Sequence, residues 1–421
     1  MAQADLTDDI VVAPGGLLGR VRGTIQSFPR AVWLMALSNL ILWTGRGMIM
    51  PFTFIFFTQI ADLPARIVGG GIALSGLGGI AFVMLVAGQI DRRGGHPVLL
   101  MCLLTIAIST VVYPWATGVL PFLVVTIVLN FAGQLYWPAS DATIASLADP
   151  ARVAEAMSIL RVANAIGIGT GGLIGGALVS GGGLPEYRMM FLVSALTVGA
   201  ASLLVRFAVP SIPLPSRGAD GNHGTWRDVL PDRPFLYAIG VLFLMVLGFS
   251  QLQASVPAFL RKEAGISEGQ IGALFTMNTL IVIATQIPIA ARVARGNIGL
   301  VMAGGAACWI GSFVVMLVTP GVGLPAAVAA FLLFTAGELL FMPASAVIPV
   351  RLAPLHLRGR YFALLSIAWG GSWAIASLIA GFALDHSRPA LLWPVMAGMM
   401  FVAVAAAAHM RREARLAPPI T

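Results

Sequence analysis

The sequence predicts an all-α integral membrane protein with twelve transmembrane helices in two six-helix bundles, related by a pseudo-two-fold axis. Three observations predict this fold class. Of the 421 residues, 58% are hydrophobic and 10% are charged, whereas a soluble domain carries about 25% charged residues. The hydrophobic residues form runs of about 20, the length that crosses a hydrocarbon core about 30 Å thick. Six such runs lie on each side of one long polar segment, at residues 210–234.

The runs are predicted to be helices, because lipid offers no hydrogen-bonding partners and each span must satisfy its own backbone groups. The expected spans are residues 31–59, 66–90, 97–116, 119–147, 155–180, 188–209, 235–260, 268–291, 298–319, 324–350, 359–384 and 390–410. The predicted domains are a cytoplasmic tail (1–30), an N-terminal bundle (31–209), a cytoplasmic linker (210–234), a C-terminal bundle (235–410) and a second cytoplasmic tail (411–421).

The basic residues set the expected orientation. With the N-terminus inside, 19 of the 25 lie on cytoplasmic segments, five lie on the opposite side, and Arg46 lies within a span. Because this asymmetry follows the positive-inside rule, the net charge of +8 reports topology rather than a nucleic-acid partner. We therefore expect a multi-pass protein of the inner (plasma) membrane, surrounded by the lipid bilayer, with both termini cytoplasmic and no nucleic acid as partner.

The two halves of the chain resemble each other at an ungapped offset of 205 residues. Matching positions include residues 138–140 with 343–345, Leu160 with Leu365, Gly176 with Gly381 and, at an offset of 206, Pro51 with Pro257. Because six is an even number of spans, both halves enter the membrane from the same side. A parallel repeat of this kind places the substrate site near the bilayer midplane, between the two halves.

The loop between the second and third spans reads AGQIDRRGGHP, at residues 87–97. It resembles the G-x-x-x-D-R-x-G-R-R signature of the major facilitator superfamily, although Ala87 replaces the first glycine and Gly95 and His96 replace the later basic pair. The resemblance implies a cytoplasmic latch that holds an outward-open state. Its expected members are Asp91, Arg92, Arg93, Gly94, Asp141 and Arg161. The alternative is a loop whose charges only orient the protein.

A glycine-rich run, GIGTGGLIGG, lies on the fifth span. It resembles the antiporter motif G-x-x-x-G-P-x-x-G-G of the twelve-span drug:proton antiporters in the same superfamily, with Gly172 where those proteins have Pro. The matching residues are Gly167, Gly171, Gly172, Gly175 and Gly176. The resemblance implies export, whereas a purely structural interpretation is close packing of a neighbouring helix on a glycine face.

Three ionisable residues lie well inside the predicted spans: Arg46, Asp141 and Glu338. Each costs about 2.5–3.5 kcal/mol at the centre of a span, so each needs a partner or a function. Glu338 is the first candidate for proton coupling and Asp141 the second; the alternatives are an interhelical hydrogen bond for Glu338 and the latch for Asp141. Arg46 is interpreted either as a site for an anionic substrate or counter-charge, or as part of a structural pair.

Polar residues on several spans predict the lining of a substrate cavity. Asn130, Gln134, Trp137 and Asp141 recur at spacings of four, three and four, which places them on one helix face. The expected cavity residues are Arg46, Asn130, Gln134, Trp137, Gln251, Gln253, Asn278 and Glu338. For Gln251, Gln253 and Asn278 the alternative is a hydrogen bond between helices, which is the commoner role of such amides.

Together these features predict a secondary active transporter that exports small molecules in exchange for protons by alternating access, and the resemblance to the drug:proton antiporters implies drugs among its substrates. The alternatives are a proton-coupled importer or a sugar or metabolite exporter, then a passive facilitator. A membrane enzyme is not expected, because the five histidines show no metal-ligand spacing and no G-x-S-x-G element is present. We expect no cofactor and no metal, a small molecule and protons as partners, and a monomer.

Overall fold

The computed structural model describes residues 28–86, 90, 93–149, 152–211, 231–352, 358–385 and 389–412. Most of the two predicted tails and of the 210–234 linker lie outside these residues, as do Asp91 and Arg92 of the predicted latch. The described part contains helices and no strand.

Twelve long helices account for the twelve predicted spans. They are α1 (Arg30–Ile49), α2 (Ala65–Val86), α3 (Gly95–Val112), α4 (Val119–Leu147), α5 (Val153–Leu178), α6 (Leu184–Ala208), α7 (Arg233–Ala254), α8 (Glu268–Arg295), α9 (Ile298–Met316), α10 (Leu324–Leu352), α11 (Arg358–Asp385) and α12 (Leu392–Met410). Large apolar side chains stay exposed on the outside of this bundle, and Leu120, Leu196 and Phe207 are at least 72% exposed. Such a surface suits lipid rather than water.

Eleven described helices are long and apolar enough to cross a membrane, and α8 is the long helix that is missing from that set. With 28 residues, α8 has sufficient length, but it carries Asn278, Gln286 and Arg292 among its apolar residues. It packs against α5 and α10. Polar side chains of a membrane helix are tolerated when they face other helices or a cavity, so the polarity of α8 indicates an interior position.

The first helix of each half breaks near the same place, where a single continuous span was expected. Helix α1 ends at Ile49, ahead of Pro51, and continues as a turn (Thr53–Ile55) and a π-helix (Phe56–Ile60). Helix α7 ends at Ala254 and is followed by a short helix, Val256–Ala264, that contains Pro257. Proline lacks an N–H and its ring clashes with the preceding turn. The two prolines that the sequence repeat matched therefore interrupt equivalent helices.

Packing divides the chain into two bundles. In the first half, α1 packs on α5 and α6, and α4 packs on α2 and α3; in the second half, α7 packs on α11 and α12, and α9 packs on α10 and α12. The extensive contacts between the halves are those of α2 with α11 and of α5 with α8. The middle of the protein is therefore bordered by α1 and α4 on one side and by α7 and α10 on the other.

Glycines bring the halves together at two equivalent crossings. A Cβ atom on Gly176 of α5 would lie 3.1 Å from the Cα of Gly272 of α8, and one on Gly381 of α11 would lie 3.1 Å from the Cα of Gly69 of α2. Gly176 and Gly381 are a pair matched by the 205-residue offset. Both crossings need residues without a side chain, because the facing backbones occupy the space that a Cβ would take.

The glycine run of α5 packs against two neighbouring helices, α1 and α8. Gly167, Gly171 and Gly175 face the backbone of α1, and Gly172 and Gly176 face α8. A Cβ on Gly171 would overlap the carbonyl oxygen of Thr44, whereas one on Gly172 would lie 3.4 Å from the Cβ of Phe275, an ordinary contact. The motif therefore packs α5 between a partner in its own half and one in the other half.

Replacing Gly171 by Ala should destabilise the N-terminal bundle by about 1–3 kcal/mol, because the added methyl group must push α1 and α5 apart. Thermal unfolding of the purified protein in detergent measures this loss. Gly172→Ala, one residue along the same helix, is the matched control and should unfold close to the unchanged protein. Equal unfolding temperatures for the two variants would contradict the close approach of α1 and α5.

Candidate functional site

One end of the bundle is closed by contacts between the two halves; we call it the closed end. The carboxylate of Asp385, at the end of α11, accepts hydrogen bonds from the backbone N–H groups of Ala65 (2.8 Å) and Arg66 (3.2 Å) at the start of α2. Its Oδ2 also lies 3.6 Å from Arg66 Nε. The first N–H groups of a helix have no partner within the helix, so this carboxylate caps α2 from the opposite half of the protein.

A buried ion pair adds a second set of contacts at the closed end. Arg261 Nε lies 2.8 Å from Glu268 Oε1, and the Glu268 side chain is 7% exposed. From the other half, Tyr187 donates to Glu268 (3.3 Å), and Gln59 accepts from Arg261 (3.1 Å) and donates to the carbonyl of Ala258 (3.2 Å). The ion pair lies within the C-terminal half, and Tyr187 and Gln59 add hydrogen bonds to it from the N-terminal half.

Nothing in the sequence alone marked these residues as functional. Asp385 and Arg261 were placed only near the ends of predicted spans, where charged residues are common. Asp385 contacts Ala65, which lies 320 positions away in the chain, and no local sequence pattern predicts a contact at that separation. The shared polarity of Gln59, Arg261 and Glu268 near three separate span ends was the available signal.

At the centre of the C-terminal half, the structure brings together two of the predicted cavity residues. Asn278 Nδ2 of α8 lies 2.9 Å from Glu338 Oε2 and 2.9 Å from Thr335 Oγ1, both on α10. Asn278 is buried, and Glu338 is half-buried. No basic side chain forms an ion pair with Glu338 among the described residues. A carboxyl group held by one neutral amide has no fixed counter-charge, so it can exist with or without a proton.

Aromatic rings flank Glu338 along α10. Phe334 and Phe341 lie one turn to either side of Glu338, and their ring centroids are 5.9 Å and 6.3 Å from that of Phe249 on α7. Trp309 of α9 stacks on Phe334 at 5.4 Å and donates to its carbonyl oxygen. This packed aromatic cluster holds α10 rigidly and keeps the surroundings of Glu338 apolar.

The N-terminal half presents Arg46 on α1, near the break at Pro51. Arg46 is half-buried, and the hydroxyl groups of Tyr113 and Tyr136 lie within electrostatic range of its guanidinium. Each hydroxyl is engaged elsewhere: Tyr136 donates to Asn39, and Tyr113 is 3.1 Å from Thr126. The structure therefore does not join Arg46 to Glu338 in a salt bridge, and no ion pair involves Arg46 among the described residues.

The predicted polar face of α4 has members with different surroundings. Asn130 donates to Thr126 of its own helix, and Gln134 packs on Gly79 of α2, where a Cβ would lie 2.9 Å from Gln134 Cγ. Trp137 is 42% exposed and its ring lies 5.3 Å from that of Trp43 on α1. The face thus contacts α1 and α2.

Two members of the predicted latch are close in space. Asp141 and Arg161 line a small pocket between α4 and α5 together with Asn164, but they form no ion pair in the described structure. Gly94 has a positive φ of 82° just before α3, a conformation that favours glycine. Arg93 precedes it at the same loop. The pairing of these residues with Asp91 and Arg92, outside the described residues, stays a prediction.

The amides of the second half differ in position. Gln251 is fully buried; it donates to Leu247 (3.5 Å) and accepts from Ser255 (2.7 Å), both neighbours on its own side of the break in α7. The structure therefore does not bring Gln251 to Glu338. Gln253 is half-buried.

Nothing in the sequence singled out Gln286. It lies eight residues after Asn278 on the same face of α8, and its buried Oε1 has no partner among the described residues.

Comparisons with known proteins agree with this architecture. The Major Facilitator Superfamily profile matches residues 35–377 and 240–419. The uncharacterized MFS-type transporter YqjV of Bacillus subtilis is 22% identical over 400 residues, covering 91% of this chain and 94% of YqjV. The multidrug resistance protein MdtH of Aeromonas hydrophila is 24% identical over 378 residues, covering 86% of this chain and 91% of MdtH. A mutant form of the nucleoside transporter NupG has a TM-score of 0.74 at 15% identity, covering 90% of this chain and 100% of NupG. The predicted fold class is confirmed.

Proposed function

Because this chain belongs to the Major Facilitator Superfamily and is therefore a membrane transporter, we propose that it exports small molecules, drugs among them, in exchange for protons. It does so as a monomer by alternating access, in an inner membrane with both termini cytoplasmic. In that orientation the closed end faces outward, and the described conformation is one of the two that the cycle requires.

The observation that carries proton exchange is the contact between Asn278 and Glu338. The carboxyl group lies in the middle of a long membrane helix, it is hydrogen-bonded by a neutral amide at 2.9 Å, and it is half-buried. A group in this setting releases its proton when the cavity is wet or when a substrate competes for the amide. Proton and substrate then occupy the same site in turn, as antiport requires.

The direction of transport rests on two features. The glycine run of α5 resembles that of drug-exporting members, and it packs against both α1 and α8, so it lies where the two halves must move relative to each other. The relative MdtH is named a multidrug resistance protein. Import of a metabolite is the second candidate, since NupG, which has the same fold, is a nucleoside transporter.

Transport into inverted membrane vesicles tests the proposal. With a proton gradient imposed and followed by a pH-sensitive dye, an exported compound should dissipate the gradient in vesicles that contain the protein and not in empty ones. The compounds should span cationic, neutral and anionic aromatic molecules, nucleosides and sugars. Transport that is unchanged by a protonophore would indicate a facilitator instead, and proton movement in the same direction as substrate would indicate a symporter.

A further inference from the structure

The charge of Arg46 is not balanced by the protein among the described residues. Arg46 lies three residues before the end of α1, inside the span Arg30–Ile60. It is half-buried, and its side chain forms no ion pair and no hydrogen bond within the described part of the chain. A guanidinium in this position costs about 2.5–3.5 kcal/mol unless an anion or water meets it. Arg46 is therefore a cation inside a span with no carboxylate partner among the described residues.

The two carboxylates inside the spans form no ion pair with Arg46 in the described structure. Glu338 accepts from Asn278 within the C-terminal half, and Asp141 and Arg161 line the same pocket between α4 and α5. The neighbouring Tyr113 and Tyr136 are uncharged. Their hydroxyl groups are hydrogen-bonded to Thr126 and Asn39, respectively. The field at Arg46 is thus that of a single positive charge.

Aromatic rings adjoin this charge. Trp43 lies one helical turn before Arg46 on α1, and its ring is 5.3 Å from Trp137 and 6.4 Å from Tyr136 on α4. Trp43 and Tyr136 are buried, whereas Trp137 is 42% exposed. The Trp137 ring lies 5.6 Å from that of Tyr136, whose hydroxyl is within electrostatic range of Arg46.

We infer that Arg46 binds the anionic group of an aromatic carboxylate, and that Trp137 contacts its ring, so that organic anions are the substrate class of this transporter. This inference rests on the proposed function, because it assigns the substrate of the same central site. Arginine suits the role, since its planar guanidinium donates two parallel hydrogen bonds to a carboxylate. Aromatic contact adds affinity without demanding one exact shape, which is typical of a cavity that accepts related compounds.

Binding of three ligands of the same shape tests the inference: 2-naphthoate, 2-naphthamide and 2-naphthylmethylamine, titrated calorimetrically into the purified full-length protein. The protein should bind the anion about tenfold or more tightly than the amide, since hydrogen bonds to charged groups contribute about 1.5–3 kcal/mol. Arg46→Gln should remove this preference, and Arg46→Lys should keep part of it. Trp137→Ala should weaken naphthoate and naphthamide alike.

Arg206→Gln is the matched control, because Arg206 is exposed in the last turn of α6 and should leave naphthoate binding unchanged. Thermal unfolding shows that each variant is folded. Equal binding of the three ligands, preference for the amine, no binding of any of them, or an unchanged preference in Arg46→Gln would each overturn the inference. None of these results affects the dye assay of proton exchange, whose failure would instead overturn the proposed antiport.

Discussion

Replacing Glu338 by Gln should abolish proton-driven accumulation of the transported compound while substrate binding and exchange continue. Glutamine keeps the size of the side chain and can still pair with Asn278, but it has no proton to release. One charge that crosses 100 mV provides about 2.3 kcal/mol, which sustains a gradient of about fiftyfold. The steady-state accumulation ratio in energised vesicles should therefore fall from up to about fiftyfold to about one.

The control for this experiment is Glu155→Gln, which removes a carboxylate that pairs with Arg152 at 2.7 Å near the start of α5, on an exposed surface. It should leave the accumulation ratio intact. Counterflow of labelled substrate without a proton gradient should persist in Glu338→Gln, because exchange needs only the movement of the halves. Full accumulation in that variant would assign Glu338 a structural role between α8 and α10.

Replacing Asp385 by Ala should shift the protein away from the described conformation by about tenfold in the ratio of the two states. The carboxylate accepts from two backbone N–H groups of α2, and hydrogen bonds to charged groups are worth about 1.5–3 kcal/mol, with about 1.4 kcal/mol for each factor of ten. These bonds join the two halves, so they are lost when the closed end opens. Their removal therefore raises the free energy of the closed state and leaves that of the open state unchanged.

Alkylation of a single cysteine at position 258 measures this shift. Ala258 is 2% exposed at the closed end, and its rate of labelling by a membrane-impermeant maleimide reports how often that end opens; Cys102 and Cys308 are first replaced by Ser. Asp62→Asn is the control, since Asp62 is exposed at the same end and accepts no hydrogen bond from the opposite half in the described structure. Asn also tolerates the positive φ of 56° at this position. If Asp385→Ala labels at the control rate, the cap does not hold the closed state.

Much of the candidate site could be listed from the sequence, but its arrangement could not. Glu338 and Asn278 were found because a charge and an amide are rare inside apolar spans, where lipid makes each unpaired polar group costly. Gln251 was found by the same rule, yet it bonds to Ser255 rather than to the central site. Composition identifies a polar residue in a span, whereas the rotation of the helix decides which neighbour it meets.

The sequence by itself determined that the protein is surrounded by lipid, how many spans it has, and that its two halves are a repeat. Hydropathy is a local property that lipid selects for directly, so twelve runs became twelve helices, and prolines and glycines keep their effect on the backbone wherever they occur. Only the tertiary structure decided that Asp385 caps α2, that Arg261 and Glu268 pair beside Tyr187, and that Arg46 forms no ion pair with any residue the structure describes. These contacts join residues far apart in the chain, and their geometry depends on how helices tilt and turn against one another.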